Sequence, residues 1–241
     1  MGPIERQQRR EGAVKSTRKQ GRRWIRRAAL VVQIMAVLTL VPGGVATAEP
    51  ATRQATDVLT FADLSDVGEA RLLRTDDGIT AKAGVRGAAP GVYTMWWVVW
   101  NTPEGCGVPF ACNEPDLFNP DAGLAIGYAG GGVVDSSGKL RVNAHLNEGE
   151  ELTGFPYPEV QAIGVQVNET TMLDTRHSEV HLVLRSHGER IPGLVGEMMS
   201  TFNAGCVYDP PITGSEPTYG TPGPNTCEDP YFAVFPSEDT P

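Results

Sequence analysis

One run of ten residues, Val92-Tyr93-Thr94-Met95-Trp96-Trp97-Val98-Val99-Trp100-Asn101, constrains the fold more than any other stretch of the chain. β-branched and aromatic residues dominate it, and these favour extended backbone. Side chains in a strand alternate between faces. Tyr93, Met95, Trp97 and Val99 therefore share one face, and Thr94, Trp96, Val98 and Trp100 share the other. Both faces are apolar. A strand of this kind does not fit a sheet with one wet side, so it is expected to be central and covered on both sides.

The rest of the chain repeats the extended pattern in shorter pieces. Apolar runs separated by turn residues mark an all-β sandwich or barrel. Strands are predicted over Asp57–Ala62, Ala70–Arg74, Ile79–Val85, Val92–Asn101, Leu124–Gly127, Gly132–Val134, Leu140–Leu146, Val160–Val167 and Glu179–Ser186. Turns are expected at Asp76-Asp77-Gly78, Ala89-Pro90-Gly91, Ser136-Ser137-Gly138 and Asn147-Glu148-Gly149, with Asp77-Gly78 suited to a tight hairpin. Helical periodicity is confined to Leu194–Phe202, after Pro192-Gly193. Gly130-Gly131-Gly132 lacks the Lys-Ser/Thr of a phosphate loop and marks a bulge or close backbone packing. The expected fold class is all-β: one β-sandwich or Greek-key barrel, with a short helix near its C-terminal end and a disulfide-clamped Pro/Gly-rich tail. Residues 49–55 read as a polar leader, 56–206 as the domain and 207–241 as an extended tail, with Tyr231–Phe235 as a candidate edge strand.

Charge divides the chain sharply. Residues 1–48 hold ten Lys/Arg and two acids, a net of +8, and the remainder carries −17, for a total of −9 over 241 residues. The basic part has the three regions of a secretory signal. A long n-region ends in Arg22-Arg23-Trp24-Ile25-Arg26-Arg27. An apolar run from Ala28 to Val41 follows, then Pro42-Gly43-Gly44 and the small-x-small site Ala46-Thr47-Ala48, with cleavage expected between Ala48 and Glu49. The fourteen residues of this run span about 21 Å as a helix, short of a hydrocarbon core of roughly 30 Å. Arg26-Arg27-Ala28-Ala29-Leu30 also fits a loose twin-arginine signal, so two export routes stay open. The expected location is extracellular or in the cell envelope, with membrane contact only during export. A domain at −17 repels nucleic acid and anionic lipid. All four cysteines, Cys106, Cys112, Cys206 and Cys227, fall after the cleavage point, as expected of disulfides in an oxidising compartment. Three pairings are open. Local pairing, Cys106 with Cys112 and Cys206 with Cys227, is preferred because both loops are rich in Pro and Gly.

Two groups of residues are candidates for chemistry. Trp96 and Trp100 share a strand face about 13 Å apart at ~3.3 Å per residue. They fit either core layers or a stacking platform for sugar rings or another flat ligand. The second group is Glu179-Val180-His181-Leu182-Val183-Leu184-Arg185-Ser186-His187, with His145 on another strand. His181 and His187 are about 20 Å apart in an extended strand, too far to share an ion. His145 with His181, and Glu179 or an Asp as a third donor, is the arrangement that would hold a transition metal. The alternative pairs His181 and Arg185 with carboxylates such as Glu179 or Glu197. No Gly-x-Ser-x-Gly, His-Glu-x-x-His or Asp-x-Asp-x-Asp motif occurs, so no catalytic residue is assigned.

Three blocks resemble a family of uncharacterised secreted bacterial proteins. They are Pro90–Val99, Arg141–Leu146 with His145, and Glu179–Gly188 continuing to Gly205-Cys206. The likeness covers roughly residues 65–206 and implies export and a β-rich fold. The strand layout is also loosely similar to chordin-type and copper–zinc superoxide dismutase-type sandwiches, without the dense His-x-His ligands of the dismutases. The expected function is a secreted, non-enzymatic module binding a glycan, small ligand or partner protein. The alternatives are a metal-binding domain or metalloenzyme using His145 and His181, and a structural cell-envelope protein.

Overall fold

The computed structural model describes residues 50–207 and 219–240. The export segment, its cleavage point Ala48–Glu49 and residues 208–218 of the tail lie outside the described residues. Eight antiparallel strands form one sheet that curls into a nearly closed barrel. They are β1 (Thr52–Thr60), β2 (Asp66–Thr75), β3 (Gly78–Arg86), β4 (Gly91–Trp100), β5 (Leu124–Val134), β6 (Lys139–Asn147), β7 (Glu179–Ser186) and, after the short parallel pair β8 (Cys206–Val207) and β9 (Asn225–Thr226), β10 (Glu228–Phe235). Their order is β5-β4-β7-β10-β1-β2-β3-β6. The connections β3 to β4 and β6 to β7 skip neighbours, and the expected barrel alternative, not a two-sheet sandwich, is the one adopted. Two short helices accompany it, α1 (Tyr157–Ala162) and α2 (Val195–Met198). No helix among the described residues is long and apolar enough to cross a membrane.

Period-two alternation fills the barrel. Ile79, Ala81, Ala83 and Val85 of β3, and Leu140, Val142, Ala144 and Leu146 of β6, point inward to join Met95, Trp97 and Val99 of β4. The β2–β3 hairpin turns through Asp76 and Asp77, with Thr75 paired to Gly78. Closure between β5 and β6 depends on glycine. A Cβ at Gly130 would sit 2.9 Å from Val142 Cγ1, and one at Gly132 would sit 3.0 Å from Leu140 Cδ1. On the opposite face, a Cβ at Gly131 would lie 2.2 Å from the Met199 carbonyl oxygen, beside α2. The triple glycine thus lets side chains of β6 approach from inside and a helix from outside. It also follows a bulge: Met95 pairs with Gly130 and Trp96 with Tyr128, leaving Ala129 as the extra residue.

The structure departs from the sequence expectations in four places. Leu124–Gly127 and Gly132–Val134 are one strand, because the bulge and glycines bend the chain without ending it. Val160–Val167 is not a strand; α1 occupies Tyr157–Ala162, and Gly164 at φ +97° breaks extension. That path buries Val160, Val165 and Val167 in one apolar cluster, which an alternating strand would not do. The stretch expected as a polar leader joins β1, which starts at Thr52 and pairs with β2, where Gln54 Oε1 accepts from Arg74 Nε at 2.8 Å. Finally, β10, expected as an edge strand in an extended tail, is not at an edge. It lies between β7 and β1 and puts Ala233 and Phe235 into the barrel core. Pro230, which cannot donate to a ladder, coincides with the register shift between Glu228 and Tyr231.

Both disulfides are the local ones, Cys106–Cys112 and Cys206–Cys227. Gly131→Ala should lower stability by about 1–3 kcal/mol through overpacking against Met199. Gly84→Ala, where the nearest atom to a new Cβ is 3.7 Å away, should stay within about 0.5 kcal/mol of the parent. Urea unfolding of the two variants checks this; equal losses would contradict the role given to Gly131.

Candidate functional site

The outer face of the sheet at β4 and β7 carries the residues singled out in the sequence. Register places Trp100 opposite Glu179, Val98 opposite His181, Trp96 opposite Val183 and Thr94 opposite Arg185. All of these point away from the barrel core. An apolar outer face must be covered, and the cover comes in two pieces. The first comprises the 3-10 turns Pro103–Gly105, Glu114–Phe118 and Pro120–Ala122 together with α1. It buries Val98, Trp100, Leu124 and Ile126 against Ala122, Val160, Val165 and Val167. Tyr157 of α1 anchors it by donating its hydroxyl to the Ile126 carbonyl. The second piece is α2 and the segment after it, where Met198 and Ala204 bury Val92.

Between the two pieces a groove of about 500 Å³ remains open over the sheet. Trp96, Val98, Trp100, Ile126, His181 and Val183 form its floor. Leu117, Val160, Ile163 and Val165 wall one side, while Phe61, Phe155 and Phe202 contribute rings elsewhere. Trp96 is set in an aromatic cluster, edge-to-face with Tyr128, Phe155 and Phe202 at centroid distances of 5.8, 6.1 and 5.1 Å. Ile163 and Phe61 at the lip are 59% and 48% exposed, large apolar side chains left in water beside an apolar cavity.

Asn113 and Glu114 line the groove beside Leu117, and polar groups from the sheet enter it at two further points. Arg185, fully buried, donates through Nε and Nη2 to Asp229 Oδ1 and Oδ2 at 2.8 and 3.0 Å. Its guanidinium lies 3.6 Å over the Phe202 ring, a desolvated cation–π contact. At the other point, His181 Nε2 donates to Glu179 Oε1 at 2.6 Å. Glu179 is 1% exposed, and the same oxygen accepts the Cys112 backbone N–H at 3.1 Å. The Cys106–Cys112 disulfide loop thereby fixes the carboxylate that orients the histidine. The Trp100 ring packs edge-on to His181 at 5.9 Å.

A buried relay holds Trp96 from behind. Trp96 Nε1 donates to Thr94 Oγ1 at 2.8 Å, and Thr94 Oγ1 meets His187 Nε2 at 2.9 Å. His187 Nδ1 faces the Ala204 carbonyl at 2.8 Å. A carbonyl only accepts, so Nδ1 carries the proton and Nε2 accepts from Thr94. Burial pushes the His187 pKa down to about 4. His177 has the opposite surroundings. Its ring nitrogens face Asp239 at 2.7 Å and Glu104 at 2.9 Å, and the Asp239 bond, followed by that to Glu104, raises its pKa.

The placement of the sequence candidates is specific. Trp96 and Trp100 both line the groove, but they are 2% and 1% exposed, so they are floor and not an open sugar platform. Glu179 and His181 are brought together. His145 is not: it lies exposed on β6, with Nδ1 on Thr80 Oγ1 at 2.9 Å and Nε2 on Asn147 Oδ1 at 3.0 Å. Among the described residues no three His, Cys, Asp or Glu side chains converge as a metal cluster, which corrects the expected His145–His181–Glu179 arrangement. Arg185 pairs with Asp229, and Glu197 accepts from Thr221. Alternation already put Glu179, His181, Val183 and Arg185 on one face. Phe155, Phe202 and Asp229 carried no such sign, because they reach the groove from distant loops and from β10.

His187 makes the pH response explicit. The unfolded ring takes up a proton near pH 6.5 and the folded one only near 4. Its contribution is therefore complete above pH 6.5 and is lost as pH falls through that window, by about 3 kcal/mol. An NMR titration of the His187 ring checks this, with a midpoint near 4 expected and one near 6.5 contradicting it.

Comparison of the chain with family models, curated proteins and solved structures finds no match.

Proposed function

We propose that this is an exported, non-enzymatic ligand-binding protein whose groove over β4 and β7 takes up a flat, largely apolar small molecule. The groove itself carries the reading. Its volume of about 500 Å³ falls within the roughly 300–1,000 Å³ of small-molecule sites, which are mostly apolar with a few placed polar groups. Its floor is rigid, since β4 and β7 are hydrogen-bonded along their whole length. The Thr94–His187 relay and the Glu179–Cys112 bond lock the neighbouring side chains. Preorganisation of this kind lowers the ordering cost of binding. An apolar ligand gains from covering Ile163 and Phe61. The enclosed tryptophans favour such a molecule over an extended glycan, which stacks on open rings.

Export is part of the proposal. The basic, apolar and small-residue regions of 1–48 support it, as do two disulfides in a chain with no free cysteine among the described residues. β1 starts at Thr52, so cleavage before Glu49 leaves β1 whole. N-terminal sequencing of protein recovered outside the cell should begin at Glu49; an uncleaved N-terminus would count against the export reading.

The groove is tested with the neutral apolar dye Nile red. Secreted protein should enhance its fluorescence, and titration with the dye should quench the tryptophan emission by energy transfer. Val183→Trp, which fills the floor opposite Trp96, should weaken dye binding at least tenfold while the melting temperature moves by only a few degrees. Unchanged dye affinity in Val183→Trp would place binding elsewhere.

A further inference from the structure

We infer that the Trp100–His181 end of the groove receives a hydroxyl group, so that the ligand is a flat apolar molecule with a single phenol-like hydroxyl. This rests on the reading of the groove as a ligand site and adds the chemistry of what fills it.

Three polar atoms lead to it. Trp100 Nε1 is buried without a hydrogen-bond partner, and so is Glu179 Oε2. The two residues are directly opposed across the β4–β7 ladder. Glu179 Oε1, by contrast, is already committed to His181 Nε2 and the Cys112 N–H. Nε2 of His181 donates to that oxygen, so in a neutral imidazole Nδ1 is the nitrogen that carries the lone pair. Trp100 and His181 both line the groove, with their rings in edge-on contact. Trp100 therefore brings to this end one N–H that can only donate, and His181 brings a ring nitrogen that accepts when the imidazole is neutral; Glu179 Oε2 lies behind them and does not line the groove. Leaving such groups buried and unmet is costly, and a partner that meets them recovers that cost.

The chemistry of the three atoms narrows the partner. A hydroxyl accepts from Trp100 Nε1 and donates to an acceptor at once. A ketone or ether takes the indole N–H but leaves the acceptors unmet. An ammonium satisfies the acceptors but has no lone pair for Trp100. A carboxylate has no proton to give and sits beside the buried Glu179, a like charge in a poorly solvated place. Arg185 does not redress this, since its Nε and Nη2 are engaged by Asp229. The apolar floor and the aromatic walls then set the rest of the ligand.

Competition for bound Nile red separates the alternatives, using the secreted protein with 2-naphthol, naphthalene and 2-naphthoate. The expected result is that 2-naphthol displaces the dye at a concentration at least tenfold below that needed with naphthalene, and that 2-naphthoate is the weakest. In His181→Phe the advantage of 2-naphthol over naphthalene should fall below about threefold with dye binding retained. Trp100→Phe, which keeps a buried aromatic ring, should behave the same way. Equal displacement by 2-naphthol and naphthalene in the parent protein would overturn the inference while leaving the groove as an apolar site. Tightest binding of 2-naphthoate would overturn it in favour of anion recognition. An undiminished 2-naphthol preference in both variants would overturn the assignment of the hydroxyl to this end. Absence of dye binding in the parent protein would remove the groove reading itself, and the inference with it.

Discussion

Burial of β4 on both faces is the constraint on which the rest of the molecule depends. Every residue of Gly91–Trp100 is buried. Its inner face supplies Tyr93, Met95, Trp97 and Val99 to the barrel core, and its outer face supplies Trp100 and Val98 to a second core. An aromatic side chain buries roughly 150–250 Å², on the order of 4–6 kcal/mol at ~25 cal/mol per Å². Leaving the outer tryptophans in water would forfeit that. The long connections after β4, β6 and β7 are the answer: they fold back as 3-10 turns, α1 and α2 and lie over the outer face. Because they come from different parts of the chain, the cover has a seam. The groove is that seam.

Buried charge organises the end of the barrel where Glu179 and Phe235 lie. Arg74 points inward from β2 and is fully buried. It donates to the Thr175 and Ser178 carbonyls at 2.5 and 3.0 Å and to the Pro236 carbonyl at 3.1 Å. Burial lowers its pKa to about 10, with Glu238, Asp174 and Glu179 acting in the opposite direction, so it remains charged at neutral pH. One guanidinium, with five donors in a rigid fork, thus ties β2 to the approach to β7 and to the exit from β10. Arg176 reinforces the same junction from outside, through Asp76 and Glu238 at 2.8 and 2.9 Å. The position of Glu179, and through it the setting of His181, follows from this junction on one side and from the Cys106–Cys112 loop on the other.

Much of the barrel was legible because strand formation leaves a local record. Glu179–Ser186 matches β7 end to end. The expected limits of β3 and β6 gain one residue at each end, those of β4 shift by one, and β2 extends back to Asp66. The misreadings share a cause. β1 begins in a polar stretch that becomes a strand only because β2 pairs with it. β10 contains a proline and follows a Pro/Gly-rich segment, so its own pattern is weak; its place between β7 and β1 is decided by the gap it fills. Val160–Val167 has β-branched residues suited to a strand, but its valines serve a cover and not a ladder. In the site, Trp96, Trp100, Glu179 and His181 stood out by residue type and alternation. Their meeting did not, because it depends on β4 and β7 being neighbours.

By itself the sequence determined that the protein is β-rich, that one strand is apolar on both faces, and which side chains share each strand face. These follow from backbone sterics and from an alternation that acts over a few residues. Tertiary structure alone decided the barrel, the separation of His145 from His181, the pairing of Arg185 with Asp229, and the groove with its orphaned Trp100 and Glu179 atoms. Each of those depends on which distant strands become neighbours. That choice is made by the free energy of burying both faces of β4 at once, a property of the whole chain that no local segment carries.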